Sequence, residues 1–185
     1  MKIAFIIFDG TTWLDFIGIY EPLTRLKSVD YIPDLTWDIC AFEERNTDIH
    51  GLQIMPSIIK SDLSIYDAII VPGGLGTRKL INDEEFLNWI RTATKVRYKI
   101  SVCTGSLILG AAGFLKNVKA TTHFDEYPLL NQYCKEVVKD KIVEDSDVIT
   151  AGAVSSSIDL GLYLCEKWVN TEAKFAIAKR MDYKI

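Results

Sequence analysis

Short apolar runs alternate with longer amphipathic segments along this chain of 185 residues. The runs are rich in β-branched residues and are bounded by glycine, proline or acidic residues, which is typical of strands. Apolar residues in the longer segments recur at helical spacing. Strands that alternate with helices predict an α/β domain around a mostly parallel central sheet. The predicted strands are 2–8, 36–42, 66–71, 99–102, 119–122, 141–144 and 147–150.

Capping residues and acidic first turns mark where the helices begin. A small hairpin or edge strand is predicted at 49–55, around His50 and Gly51. One predicted helix begins after Thr11 or Thr12, and another begins after Asn170. Three more occupy residues 86–94, 105–112 and 155–169, of which the last is the longest pattern. The apolar face of the first helix is predicted to comprise Trp13, Leu14, Ile17, Tyr20 and Leu23.

The composition is that of an average globular protein, with 49% hydrophobic and 25% charged residues. We therefore expect one domain over residues 1–185, long enough to bury a full core. The net charge of −4 and the lack of a basic patch argue against nucleic-acid binding. The apolar runs are too short to span a membrane, and the first strand begins too early to leave room for a signal peptide.

Four cysteines are scattered along the chain without a C-x-x-C pair, and there are only two histidines. This pattern gives no set of zinc ligands, so we expect neither a metal nor a cofactor. It favours reduced thiols in a cytoplasmic protein. Cys40, Cys134 and Cys165 are interpreted as structural residues.

Cys103 differs from the other cysteines because it joins the predicted strand 99–102 to the helix that follows. Its small neighbours Thr104, Gly105 and Ser106 allow a sharp strand-to-helix turn of the nucleophile-elbow type. The start of a helix exposes backbone N–H groups that favour a thiolate, which is the nucleophilic form. The alternative is a buried cysteine that packs as a small apolar residue.

A glycine-rich turn, Pro72 to Gly76, ends the strand 66–71. Backbone N–H groups around Gly73, Gly74 and Leu75 are candidates to bind substrate or to stabilise its developing negative charge. A flexible turn without a function is the alternative. Neither the dinucleotide-binding G-x-G-x-x-G spacing nor a phosphate-binding P-loop is present.

Two further side chains are candidates for proton transfer. Asp15 lies early in the first helix among apolar residues that would bury it, and burial raises the pKa of a carboxyl group. Glu21 is the rival acid on the same helix. His123 ends the predicted strand 119–122, at what we expect to be the same sheet edge as Cys103. The alternative for Asp15 is a surface acid that complements the helix dipole, and for His123 a structural residue.

These segments together resemble the ThiJ/PfpI superfamily, and within it the isocyanide hydratase-like branch. The resemblance covers nearly the whole chain and depends on the order and spacing of several motifs. They are Phe8-Asp9-Gly10 with Leu14-Asp15-Phe16-Ile17-Gly18, Val71-Pro72-Gly73-Gly74, Ser101-Val102-Cys103-Thr104-Gly105-Ser106 continuing to Gly113, Ala120-Thr121-Thr122-His123, Thr150-Ala151-Gly152 and Ser157-Ile158-Asp159-Leu160.

The resemblance implies a flavodoxin-like three-layer sandwich that is usually a homodimer, with Cys103 as a nucleophile on an elbow. Asp15 takes the position of the acid that bonds the thiol, where the deglycase and chaperone branches usually carry glutamate. Thr104 stands where the PfpI peptidase-like branch has histidine, which argues against a Cys-His protease. Ile19 replaces a typical proline, and Ala153-Val154 replaces a more glycine-rich stretch, so the pocket differs from the usual pattern.

Three functions remain open from the sequence. The first is hydration of a small electrophile, with an isocyanide converted to an N-substituted formamide by Cys103, Asp15 and Thr104. The second is glyoxalase-like or deglycase chemistry on an α-oxoaldehyde, in which His123 would carry a proton. The third is a non-enzymatic sensor of oxidative stress, or a chaperone, whose Cys103 is oxidised. Related regulators carry an additional helix-turn-helix part, for which we expect no room before Ile185.

Overall fold

The computed structural model describes residues 1–185, and seven of its nine strands form one central sheet. Their order is β3-β2-β1-β4-β5-β9-β8, and every neighbouring pair is parallel except β8 with β9. The remaining two strands pair with each other in a separate small sheet. The strands are β1 Lys2–Ile7, β2 Thr36–Ala41, β3 Ile58–Ile59, β4 Ala68–Val71, β5 Tyr98–Val102, β6 Lys119–Ala120, β7 Glu136–Val137, β8 Ile142–Asp145 and β9 Val148–Ala151.

The strand order reverses at β1, which pairs with β2 on one side and β4 on the other. Doubly wound sheets of this kind bind ligands beyond the carboxyl ends of their strands, near the point of reversal. The loops after β1, β4 and β5 leave that edge of the sheet. The fold therefore brings the segments around Asp15, Gly73 and Cys103 to one place.

Helices cover both faces of the sheet, which confirms the predicted three-layer sandwich. Along β1 the side chains alternate between the two faces. Phe5 belongs to the core shared with α1, α6 and α7, and Ile6 to the core shared with α3 and α4. No helix has both the length and the apolar character needed to cross a membrane. The helices are α1 Trp13–Ser28, α2 Thr77–Leu80, α3 Glu84–Arg91, α4 Gly105–Ala111, α5 Tyr127–Leu130, α6 Ser156–Trp168 and α7 Thr171–Arg180.

The predicted apolar face of α1 is partly wrong. Leu14 and Ile17 are exposed, whereas Phe16 and Ile19 pack in the core. The reason is that α1 packs against both the sheet and α6, and its contact with α6 uses small residues that a hydrophobic pattern does not reveal. A Cβ atom added at Gly18 would lie 2.0 Å from Ser157 Oγ.

Three other local predictions are corrected. The strand predicted at 119–122 contains only two residues, β6, and it pairs with β7 outside the central sheet. The hairpin predicted at 49–55 is reduced to a single antiparallel bridge, Thr47 with Gln53, and the edge strand is β3 instead. The longest helix is α1, with 16 residues, not α6, with 13.

We expect Gly161→Ala in α6 to destabilise the protein. The new Cβ would lie 2.5 Å from Cγ of Pro22, a rigid ring in α1, so the two helices must move apart. Overpacking of this kind costs about 1–3 kcal/mol. Helix propensity alone would instead stabilise the variant by about 1 kcal/mol. Urea unfolding measures whether the free energy of unfolding falls or rises. A rise would show that α1 and α6 accommodate the added methyl group without loss of stability.

Candidate active site

Cys103 lies at a sharp turn between β5 and α4, and its φ angle is +53°. A positive φ strains a residue that has a side chain, so the surrounding structure must hold it in place. The backbone N–H of Cys103 donates to the carbonyls of Ala151 (3.0 Å) and Gly152 (2.8 Å) at the end of β9. Its carbonyl accepts from the hydroxyls of Ser106 (3.2 Å) and Thr122 (3.0 Å). Four hydrogen bonds thus fix the turn.

The glycine turn after β4 packs directly against Cys103. A Cβ atom added at Gly73 would lie 2.6 Å from the backbone nitrogen of Thr104 and 2.8 Å from Oδ2 of Asp15. It would also lie 2.8 Å from Cβ of Cys103. Only glycine leaves room for these three residues to approach one another. Close packing therefore explains why position 73 is a glycine.

Asp15 enters the site from the first turn of α1 and is fully buried. Its Oδ2 accepts a hydrogen bond from the Gly73 N–H at 2.9 Å, and the thiol of Cys103 lies close to the carboxyl group. Burial raises the pKa of Asp15 to about 7, although the Gly73 N–H and the thiol oppose the rise. Oδ1 has no partner within the protein. The carboxyl group can therefore take up and release a proton near neutral pH.

The surroundings of Cys103 favour the thiol over the thiolate, whereas the helix start alone favoured a thiolate. Burial and the negative charge of Asp15 raise the pKa of Cys103 well above its ordinary value. The N–H and hydroxyl of Thr104 lower this pKa, but by less. The side chain of Cys103 is only 5% exposed, and its neighbours are polar as well as apolar. Ionisation therefore requires that Asp15 accept the proton.

The backbone donors predicted to stabilise negative charge are mostly engaged. The Gly73 N–H donates to Asp15, and the Gly74 N–H donates to the Thr104 hydroxyl at 3.0 Å. The N–H groups of Gly73 and Gly74, which were predicted to bind substrate or stabilise its charge, thus have partners within the protein. The Leu75 N–H makes no hydrogen bond within the protein.

His123 does not follow a strand of the central sheet, contrary to the prediction, because β6 lies outside that sheet. Its Nδ1 accepts a hydrogen bond from the backbone N–H of Asp125 at 3.3 Å. Its ring packs on that of Phe124, with 4.2 Å between the centroids. These contacts hold the imidazole within its own loop.

Sequence analysis missed Arg78, which lies in the short helix α2. Its Nη1 donates to the carbonyl of Gly74 (3.1 Å) and to the hydroxyls of Thr77 (3.1 Å) and Thr104 (3.3 Å). Its Nη2 forms an ion pair with Glu126 at 2.5 Å. No motif marked this arginine, because its partners are distant in the sequence.

Two cavities lie at the same edge of the sheet as the thiol, with volumes of about 250 Å³ and 280 Å³. The first is lined by Phe8, Phe42 and Phe86 among others, and the second by Trp13 and Leu75 among others. Neither includes Cys103, Asp15 or Thr104. No group of three or more histidine, cysteine or acidic side chains is placed to hold a metal ion.

Residues 1–167, which contain the strained cysteine turn and its buried acid, match the model of a known family. The chain belongs to the DJ-1/PfpI family. It is 36% identical over 184 residues to the isonitrile hydratase of Pseudomonas putida, covering 99% of this chain and 78% of that protein. The family and its isonitrile hydratase-like branch, expected from the motifs, are therefore confirmed.

Two other similarities extend the comparison. The crystal structure of a ThiJ/PfpI family protein from Pseudomonas syringae has a TM-score of 0.89 and 27% identity, covering 100% of this chain and 75% of that one. The HTH-type transcriptional regulator GbdR of Pseudomonas aeruginosa is 23% identical over 99% of this chain, which spans only 51% of the regulator. The fold thus occurs in proteins of different kinds.

We expect Asp15→Asn to stabilise the protein increasingly as pH rises from 4 to 7. An unfolded Asp15 loses its proton near pH 4, but the folded protein keeps it until about pH 7. Folding therefore takes up a proton in this window, and stability falls as pH rises. The variant has no titrating group at this position. Its free energy of unfolding should therefore exceed that of the wild type by about 4 kcal/mol at most above pH 7.

Urea unfolding of both proteins at pH 4.5 and pH 8 measures this difference. Glu85→Gln, at an exposed acidic position in α3, controls for the loss of one negative charge. An equal effect of Asp15→Asn at both pH values would contradict the raised pKa of the buried carboxyl.

Proposed function

We propose that this protein hydrates small isonitriles to N-substituted formamides, with Cys103 as the nucleophile and Asp15 as the proton carrier. The observation that carries the proposal is a buried carboxyl group packed beside a thiol on a strained turn. Its second support is the 36% identity to an isonitrile hydratase over almost the whole chain. The wider description, a cysteine-dependent lyase, is part of the same proposal.

In the first step Asp15 takes the proton of the Cys103 thiol, and the sulfur attacks the terminal carbon of the isonitrile. A carbon–sulfur bond forms as the carbon receives the proton from Asp15. The product is a thioimidate, in which carbon is doubly bonded to nitrogen and singly bonded to the cysteine sulfur. Because the pKa of Asp15 is raised to about 7, its carboxyl group can both accept and return the proton at neutral pH.

In the second step water adds to the thioimidate carbon. Asp15 removes a proton from the water and passes it to the nitrogen, which leaves a tetrahedral intermediate with a hydroxyl group and a deprotonated Asp15. The carbon–sulfur bond then breaks as the hydroxyl becomes a carbonyl, and the hydroxyl proton returns to the sulfur through Asp15. The formamide leaves, and the thiol is restored. The unpaired N–H of Leu75 is the backbone donor available to hold the water or the new oxygen.

The narrow access to Cys103 suits this substrate. The sulfur belongs to a residue that is only 5% exposed and lies outside the two neighbouring cavities. The reacting carbon of an isonitrile is terminal, linear and unsubstituted, so it can reach a recessed sulfur end-on. A crowded carbonyl carbon approaches less easily.

We also propose that the protein is cytoplasmic. Its four free cysteines are compatible with a reducing cytoplasm.

Leu14 and Ile17 expose apolar side chains on α1, next to Asp15. We expect this surface to be covered in a homodimer, as the resemblance implied. Light scattering in solution tests the dimer.

Turnover of a small alkyl isonitrile by purified variants tests the reaction. Cys103→Ala should abolish formamide formation, because no covalent intermediate can form. Asp15→Asn should lower kcat by about 10²–10⁴-fold, because the proton carrier is lost. Cys134→Ala, at a free thiol outside the site, is the matched control and should keep wild-type activity.

Equal activity in all four proteins would exclude this mechanism. Methylglyoxal tested in parallel distinguishes the alternative chemistry. Turnover of methylglyoxal that required both Cys103 and His123, without turnover of isonitriles, would favour the glyoxalase-like reaction instead.

A further inference from the structure

The cavity of about 250 Å³ has no part in the proposed reaction. It lies among residues that follow β1 and β2 and residues of α2 and α3. Three phenylalanine rings give it an apolar wall, because Phe86 packs edge-on against Phe8 and Phe42, with 6.4 Å and 6.0 Å between the ring centroids. The cavity is smaller than the about 300–1,000 Å³ typical of sites for drug-sized ligands, so it suits a small molecule.

The charged side chains that line this cavity are mostly acidic. Three are the carboxylates of Asp9, Glu43 and Asp83. The ammonium group of Lys79 is the only cation among them, so the lining is net negative. One oxygen of Asp9 accepts from a backbone N–H at 3.2 Å, and one oxygen of Asp83 accepts from an N–H in the first turn of α3 at 3.1 Å. The other oxygen of each, and both oxygens of Glu43, have no partner within the protein.

Asn46 adds a buried acceptor to the same lining. The residue is only 1% exposed, and its Nδ2 donates to the carbonyls of Glu43 (2.9 Å) and Glu44 (3.4 Å). These two bonds fix the orientation of the amide, because a flipped amide would place its oxygen against both carbonyls. Oδ1 of Asn46 is left without a hydrogen-bond partner, which is unfavourable for a buried acceptor.

We propose that this cavity binds a small primary ammonium ion with an apolar alkyl or aryl body. The unpaired carboxylates attract its charge, and the phenylalanine wall contacts its apolar body and the face of its cationic group. An N–H of the ligand supplies the donor that Oδ1 of Asn46 lacks. The Phe42 ring already attracts an ammonium group, since Nζ of Lys60, which does not line the cavity, lies 4.1 Å from the ring centroid.

The same lining disfavours other classes of small ligand. An anion could pair with Lys79, but it would lie among three carboxylates. A neutral apolar molecule would bury the phenylalanine wall and leave the carboxylates and Asn46 Oδ1 without a donor. The cationic head and the apolar body are therefore both required.

This site is distinct from the thiol and does not depend on the proposed function. Cys103, Asp15 and Thr104 do not line the cavity, and binding is measured without any isonitrile. A protein that binds the ammonium ion but fails to turn over isonitriles would keep this inference and lose only the proposed reaction.

Isothermal titration calorimetry with benzylammonium chloride at pH 7 tests the proposal. This probe joins an apolar ring to a cationic group with three N–H donors. We expect one binding site per chain. Benzyl alcohol, which has the same ring without the charge, should bind at least about tenfold more weakly, and benzoate, which has the opposite charge, should show no binding.

Two neighbouring variants separate binding in the cavity from general attraction to an acidic protein. Glu43→Gln removes one lining carboxylate, so the Kd for benzylammonium should rise about fivefold. Glu44→Gln is the matched control, because Glu44 is also exposed, follows directly in the chain and does not line the cavity. It should leave the Kd unchanged.

The proposal would be overturned by a lack of benzylammonium binding, by equal binding of benzyl alcohol, or by equal weakening in both variants. Alkylation of Cys103 by iodoacetamide locates the ligand. The rate should be unchanged at saturating benzylammonium, and protection of Cys103 would place the ligand at the thiol and would also overturn the proposal.

Discussion

The site depends on one buried carboxyl group. Asp15 is fully removed from solvent, its Oδ2 accepts from the N–H of Gly73, and the thiol of Cys103 lies close by. Burying a carboxylate without a cation nearby is unfavourable, which raises the pKa of the carboxyl to about 7. In the proposed reaction, this cost to stability is what makes the group a useful proton carrier. The proposed activity and the stability of the fold therefore make opposite demands on this residue.

The fold brings the parts of the site together by strand order rather than by closeness in the chain. Asp15 follows β1, Gly73 follows β4 and Cys103 follows β5, and these three strands are neighbours in the sheet. The strained turn at Cys103 is further held by the end of β9, which enters the sheet on the far side of β5. The order β1-β4-β5-β9 thus specifies the geometry of the thiol and its acid.

The family alone does not decide what the protein does. A regulator and a hydratase both match this chain, so the chemistry must be argued from the site. The pairing of a buried aspartate with the thiol, and a threonine after it, favours covalent addition to a small electrophile. Oδ1 of Asp15 and the N–H of Leu75 have no hydrogen-bond partner within the protein.

The central strands and the cysteine turn could be predicted from short segments of the sequence. Continuous apolar runs predicted the buried strands, and the cysteine between a strand and a run of small residues predicted the strained turn. The small residues were informative because such a turn excludes bulky neighbours. The motif order also identified Asp15 and the glycine turn as parts of the site.

Contacts between distant segments were decided only by the tertiary structure. The true buried face of α1 depends on its close approach to α6, which a periodic pattern does not show. β6 pairs with β7 in a small separate sheet, so His123 does not follow a strand of the central sheet. Arg78 reaches Thr104 and Glu126 across long stretches of chain. Burial and charge act through space, so the raised pKa of Cys103 also depends on the folded arrangement and not on the residue order.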